Sequence, residues 1–305
     1  MIPPFLSYTT FNRMGLTARS LKSILDTPED FEMHIIDSNS KDNTWEYLQS
    51  VTDPRIKSKL HLPLNAGPIP ALNLNLTRRR PGQYFFNIDC DVVVNTKDWL
   101  SRFMKVFNTF PKVGLLGVQR SAPYLPIYPE VIPVSKDGVK YLEIKNGHVD
   151  VILDFVHGCC MGMRPELIEK IGYWSEETCW GDAELTPRIM NYTDFKVGYM
   201  SDENKNSLID IDMTQMVGCQ ACTVRQYCKL DKINTTCFTI RNKTYKNEPF
   251  VRKFKWKYLE FFKELQQGKR TPYCASIYDQ KSMQGHVYNK VWALENMNYY
   301  VENGN

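Results

Sequence analysis

Two carboxylates one residue apart, Asp89 and Asp91, lie between the apolar runs Tyr84-Phe85-Phe86-Asn87-Ile88 and Val92-Val93-Val94. The first run is short, aromatic and bounded upstream by Pro81-Gly82, which predicts a buried strand. A buried strand does not leave two carboxylates unpaired in its interior. The acids are therefore expected at its C-terminal end, where open α/β sheets bind ligands. Residues i and i+2 of an extended chain point the same way, about 6–7 Å apart. Carboxylates so placed can share Mg2+ or Mn2+, ions that accept an incomplete protein cage and hold phosphate oxygens as well. Taken alone, the pair is also what a solvated polar loop carries. The neighbouring elements have to decide.

A second constellation is Cys219-x2-Cys222-x5-Cys228-x8-Cys237. Its spacing suits a structural Zn2+ knot, with Cys274 as an alternative ligand. An iron–sulfur site, free thiols and disulfides are the other readings.

The elements around the acids alternate. Phe5–Arg13 reads as a strand and its exit loop. A helix with Thr17 as its N-cap and Leu21, Ile24 and Leu25 on one stripe follows. Phe31–Ile36 is a second strand and Trp45–Val51 a second helix. Lys59–Leu64 is a third strand, and Ala71–Arg79 a short helix ending in a basic run. The acidic strand is fourth, followed by a helix over Trp99–Phe107 and a strand over Val113–Val118. Residues 119–150 read as a loop and an edge hairpin covering the site. Val151–Val156 is a strand leading into a loop over 157–163. Pro165–Ile171 is a helix and Phe195–Met200 the last strand. This β-α-β-α order implies a mostly parallel sheet flanked by helices. Beyond about residue 206 the chain turns polar and cysteine-rich. Val251–Leu265 then makes a helix with Phe254, Tyr258, Phe261, Phe262 and Leu265 on one face. That face either docks on the rest of the chain or lies on a membrane.

At 43% hydrophobic and 24% charged residues, the 305-residue chain is globular in composition. A net charge of +4, not concentrated in any tail, slightly favours anionic ligands and says little about nucleic acid. No stretch reaches the roughly 18 apolar residues of a membrane span. The first residues lack a signal-peptide pattern, so a cytoplasmic protein is the expectation, with peripheral attachment to a membrane as the alternative.

In the order and spacing of these blocks, residues 1–205 resemble the GT-A fold, inverting nucleotide-sugar glycosyltransferases of family 2. The resemblance implies a GT-A-like, Rossmann-like domain over 1–205, with a nucleotide-sugar half over 1–118 and an acceptor half over 119–205. Residues 206–305 form an extension carrying the cysteines and the amphipathic helix. It also implies roles. Thr9, Asn12 and Arg13, the loop of Asp37 and Asn39, and Asn65 and Asn73 would contact the donor nucleotide. Asp89 would hold metal or ribose, and Asp91 metal. His157, Gly158, Trp174 and Trp180 would border the sugar and acceptor, and Asp182 would be the catalytic base. The chain departs from the family pattern twice. Gly181 stands where a second acid is usual, and the matching stretch just after Met200 holds no His as a further metal ligand, leaving Asp202, Glu203 or water for that place.

The implied activity is an inverting, Mg2+- or Mn2+-assisted hexosyl or N-acetylhexosaminyl transfer from a nucleotide sugar, with UDP as the first choice. The acceptor hydroxyl belongs to a glycan, a protein, a lipid-linked sugar or a modified base. Two other readings are an inactive nucleotide-sugar or carbohydrate-binding scaffold and a sugar nucleotidyltransferase. The second is disfavoured because Ser7–Arg13 contains no glycine.

Overall fold

The computed structural model describes residues 2–118, 129–149, 155–178, 181–201, 208–211 and 248–304. Eleven strands are seen among them: β1 (Phe5–Thr10), β2 (Glu32–Asp37), β3 (Ile56–His61), β4 (Phe85–Asp89), β5 (Val92–Val94), β6 (Val113–Gly117), β7 (Val131–Lys136), β8 (Val139–Ile144), β9 (Cys160–Met163), β10 (Lys196–Met200) and β11 (Ile209–Ile211). The helices are α1 (Met14–Leu25), α2 (Thr44–Ser50), α3 (Pro68–Leu76), α4 (Trp99–Thr109), α5 (Pro165–Ile171), α6 (Gly181–Tyr192), α7 (Glu248–Gln266) and α8 (Lys290–Gly304). Nine strands form one sheet in the order β3-β2-β1-β4-β9-β6-β10-β8-β7, and β11 pairs with β5 in a second, small sheet.

Alternating side chains send each central strand into two cores. Leu6, Tyr8, Phe86 and Ile88 join Leu21 and Ile24 of α1 and Trp99, Phe103 and Phe107 of α4. Phe5 and Phe85 join Leu72 and Leu76 of α3, Leu167 and Ile171 of α5, and Leu185 and Ile189 of α6. Among the described residues the central strands are thus covered on both faces, which leaves their ends for a ligand.

Several expectations are corrected. The sheet is mixed rather than mostly parallel: four pairings are parallel and four antiparallel. The hairpin β7–β8 at the edge was expected, but the strand over 160–163 was not. β9 enters between β4 and β6, antiparallel to both. Its sequence, Cys-Met-Gly-Met, carries no β-branched residue, so local propensity hides it. Gly162 is required there because a Cβ would lie 2.4 Å from the Phe86 ring, which is itself packed among Trp99, Phe103 and Phe107. Helix α1 begins at Met14, and Thr17 is no cap; its hydroxyl is buried against that of Thr10 at 2.8 Å. β3 ends at His61, so Pro63 falls outside it. The strand read over 151–156 lies mostly outside the described residues.

The C-terminal helices are tied to the sheet domain. Phe254, Tyr258, Phe261, Phe262 and Leu265 are buried, and the last four form a cluster with Cys274 that touches Val149 and Tyr192. Burial pushes the Cys274 thiol up to about 12. Its place is a packed one rather than part of a metal site. The four cysteines over 219–237 lie outside the described residues. Among the described residues no three acids, cysteines or histidines cluster for a metal, so the zinc expectation has no support there. No described helix is long and apolar enough to cross a membrane.

One histidine makes the fold pH-sensitive. His34 stacks on Phe5 at 4.2 Å, and its Nδ1 lies 2.8 Å from Ser58 Oγ. Burial, helped by the nearby Arg78, pushes its pKa down from 6.5 to about 4. The ring therefore stays neutral in the folded chain at pH values where the unfolded chain binds a proton. The stability this contributes is complete above pH 6.5 and is lost as pH falls towards 4. His34→Gln keeps a hydrogen-bonding group and removes the titration. Its melting temperature should fall less than the parent's over that window; equal slopes would show that His34 is not a source of the acid sensitivity.

Candidate functional site

The C-terminal ends of β1, β2 and β4 lie side by side. Thr9 is level with Ile36 on one side and Asp89 on the other, and Thr10 is level with Asp37. Two exit loops are laced together above them. Asn12, held at φ 47°, donates its N–H to Ser40 Oγ at 2.8 Å, and its Oδ1 accepts from Lys41 N at 2.6 Å. Asn39 is also left-handed, at φ 67°, a conformation Asn tolerates better than most residues. Arg13 N donates to Thr44 Oγ1 at 3.1 Å. Asp37 is fully buried and accepts from Ser40 N at 3.1 Å, with His61 Nδ1 at 3.3 Å from its other oxygen. Burial outweighs these contacts and raises its pKa. The loop after β3 begins beside this pair. In it Asn65 Oδ1 accepts from Gly67 N at 3.0 Å, and the Tyr300 ring of α8 comes within 2.7 Å of where a Gly67 Cβ would stand.

Asp89 closes β4 and is partly open to solvent. Its N–H donates to Cys159 O at 2.8 Å, and its Oδ1 accepts from Asn87 Nδ2 at 3.2 Å. The same Asn87 amide donates to Gly158 O at 2.8 Å. Gly158 N in turn donates to Asp182 Oδ2 at 3.3 Å. One side chain and the backbone of one residue therefore link the strand acid to the acid of α6. Asp182 stands in the first turn of its helix, where the N-terminal dipole favours a negative charge.

Asp91 is 7% exposed and takes the Arg13 guanidinium on Oδ2 at 2.8 Å. Its Oδ1 is buried without a hydrogen-bond partner among the described residues. A buried carboxylate oxygen left in that state is costly unless something else meets it. β11 runs beside β5, pairing Ile211 with Val92 and so bringing the chain back next to Asp91.

Residues 8–172 match the profile of glycosyl transferase family 2. The chain belongs to that family. No protein with a curated description matches it. Among solved structures, the mannosyltransferase PcManGT from Pyrobaculum calidifontis, in complex with GDP-Man and Mn2+, is similar over 99% of this chain and 87% of its own. That likeness has a TM-score of 0.50 at 14% identity. TarS of S. aureus is similar over 77% of this chain and 42% of its own, with a TM-score of 0.51 at 15% identity. At such identities the likeness speaks for the fold.

In this glycosyl transferase, the donor set at the strand end fits a divalent cation. The partly exposed Asp89 carboxylate and the Asp91 Oδ1 could supply hard oxygen ligands, with phosphate oxygens or water in the remaining positions. Thr9, Asn12, Arg13, Asp37, Asn39 and Asn65 gather at this end of the sheet. Asn73 is placed elsewhere. It is fully buried, and its amide is spent on the Trp174 backbone at 2.9 and 3.1 Å and on Glu176. Trp174 itself is 1% exposed and packs on Phe85, so it is core rather than a platform for a sugar. His157 is buried against Phe155 and Tyr199. Trp180 lies outside the described residues, as do Asp202 and Glu203. The missing second acid at 181 has a steric reason: a Cβ there would meet Ile69 at 2.1 Å and Trp174 at 3.0 Å.

The residue missed in the sequence was Asn87. Its signal was present, since Asn87, Asp89 and Asp91 are spaced by two. Asn87→Ala removes the amide that orients Asp89 and holds the 157–159 loop. A 10–100-fold loss of metal-dependent donor turnover is expected, of the size that outer ligands of metal sites carry. Turnover unchanged within error would reduce Asn87 to a packing residue.

Proposed function

We propose that the chain transfers a sugar, with inversion, from a nucleoside-diphosphate sugar to an acceptor hydroxyl. UDP is the favoured nucleotide. The observation that supports this most is the link from Asp89 through Asn87 and Gly158 to Asp182, which sets two acids of different duty on one cleft.

Asp91 and Asp89 would hold Mn2+ or Mg2+, which when bound offsets the charge gathering on the diphosphate as the glycosidic bond breaks. The β1 and β2 exit loops would seat the nucleotide, with buried Asp37 holding the Ser40 turn in shape. The acceptor hydroxyl is a weak nucleophile until its proton is removed. Asp182 Oδ takes that proton as the oxygen attacks the anomeric carbon opposite the leaving diphosphate. Glu184 cannot serve instead: it is fully buried and engaged by Arg188 and Ser175 N. No covalent enzyme intermediate is needed.

A second reading, a scaffold that binds nucleotide sugar without turnover, draws on the Arg13–Asp91 ion pair, which occupies one metal-ligand oxygen. A panel of UDP-, GDP- and dTDP-sugars, with and without Mn2+, separates the two. Metal-dependent nucleotide release, abolished in Asp91→Ala, supports the transferase. Binding by calorimetry with no release from any donor supports the scaffold. Absence of nucleotide binding overturns both.

A further inference from the structure

The amphipathic helix α7 has two faces of interest, and the sequence pointed to the wrong one for lipid. The aromatic stripe from Phe254 to Leu265 is buried against the rest of the chain. The opposite stripe carries Arg252, Lys255, Trp256, Leu259 and Lys263, spaced 3, 1, 3 and 4 apart, and all are exposed. Trp256 is 52% and Leu259 40% exposed. The Trp256 ring meets Trp292 of α8 edge-on at 5.2 Å, and α8 adds Val291 at 65% and Leu294 at 37% exposure. Half of the exposed large hydrophobic side chains among the described residues fall in this one helical pair and the segment just before α8, Val287 being the fifth.

The pair is held rigidly. Buried Lys257 donates to Trp292 O at 3.2 Å and to Asn296 Oδ1 at 2.9 Å, while Lys253 meets Glu295 at 2.9 Å. The apolar tips are thereby presented together instead of folding back. Their surroundings name the partner. On the exposed stripe of α7 the charged residues are cations alone; Glu260 and Glu264 lie towards the flank and are partly buried, Glu260 pairing with Lys263 at 3.1 Å and leaving the stripe with a net positive charge from Arg252 and Lys255. A second copy of this chain docked face to face would set cation against cation. A soluble polyanion would satisfy the cations but leave Trp256, Leu259, Val291 and Leu294 in water. A bilayer surface with acidic headgroups meets both demands: apolar tips enter the acyl boundary and Arg and Lys stay among the phosphates.

We propose that the outer face of α7 and α8 docks this protein on an anionic lipid surface. The helices also touch the cleft, through Tyr258 OH on Ala183 O and through Tyr300 on Gly67. Docking would therefore fix the cleft's orientation to the membrane.

The test is flotation of the full chain with vesicles of phosphatidylcholine alone or mixed with phosphatidylglycerol, at low and high salt, with tryptophan emission as second readout. Two variants accompany it: Trp256→Ser/Leu259→Ser and Arg252→Ser/Lys255→Ser/Lys263→Ser. All these side chains are exposed, and circular dichroism checks that the variants fold. The parent should float only with the anionic vesicles, less so at high salt, with a blue-shifted emission. Each variant should show about a tenfold lower partition. The proposal is overturned if the parent stays with the unbound fraction, floats equally with neutral vesicles, or floats no better than the variants. It is equally overturned if light scattering shows a dimer that Trp256→Ser/Leu259→Ser splits. Nucleotide release plays no part in the readout, so this outcome is independent of the activity.

Discussion

Replacing Asp182 by Asn should lower metal-dependent donor turnover by about 10²–10⁴-fold while nucleotide affinity is retained. The substitution is nearly isosteric. Gly158 N and Ala183 N donate to different oxygens of the carboxylate, so Asn keeps one of these two hydrogen bonds and sets its NH2 against the other. It cannot take up a proton. Since the first turn of α6 and the floor beneath it, Ile69 and Trp174, are untouched, the cleft keeps its shape. The measurement is nucleotide released by slow donor hydrolysis, beside calorimetric binding of the nucleotide. Full hydrolysis in Asp182→Asn would leave the residue as an end-of-helix charge and no base. A parallel fall in affinity would mean that it shapes the donor site instead.

Arg188→Met should be the most destabilising single change at neutral pH, at a cost of about 3–5 kcal/mol. The Arg188–Glu184 pair is fully buried, with Nε and Nη2 on the carboxylate at 2.7 and 3.0 Å. The remaining donors reach Ile171 O at 2.6 Å, Pro272 O at 2.8 Å and Tyr173 O at 2.8 Å. Methionine fills much of the volume but leaves the buried Glu184 charge with Ser175 N in place of the guanidinium, and takes one donor each from Ile171 O, Pro272 O and Tyr173 O. Whole-domain stability is typically about 5–15 kcal/mol, so a loss of this size is a large share of it. Removing both partners, in Glu184→Met/Arg188→Met, should recover part of the loss because no buried charge is stranded. Chemical denaturation of the three variants closes the cycle. A double variant less stable than Arg188→Met would show that Glu184 has a role apart from the pair.

The same knot explains why the C-terminal segment is no loose appendage. Glu176 accepts from Asn73 Nδ2, Ser276 Oγ, Ile277 N and Tyr288 OH, all within 3.1 Å. Glu177 takes both guanidinium nitrogens of Arg270 at 3.1 and 3.0 Å. The loop after α5 is thus the seam between the sheet domain and the last helices. In the sequence these acids look like two ordinary charged residues after Ser175.

What the sequence determined by itself was whatever rests on local period and neighbour chemistry. The alternation of strand and helix up to α4, the end-of-strand place of Asp89, the hairpin β7–β8 and the buried stripe of α7 follow from spacing and from the cost of burying charge. Only the tertiary structure decided the rest. β9 carries no strand-forming residues and exists because β4 and β6 leave a slot that Gly162 can enter. Asn73 and Trp174 became scaffold because each meets the other across 101 residues. Asn87 gained its importance from Gly158, 71 residues further on. The two-residue spacing marks Asn87, but the distant partners of these hydrogen bonds leave no trace in local pattern. Their energy depends on which distant group arrives to accept the proton and on water being shut out when it does.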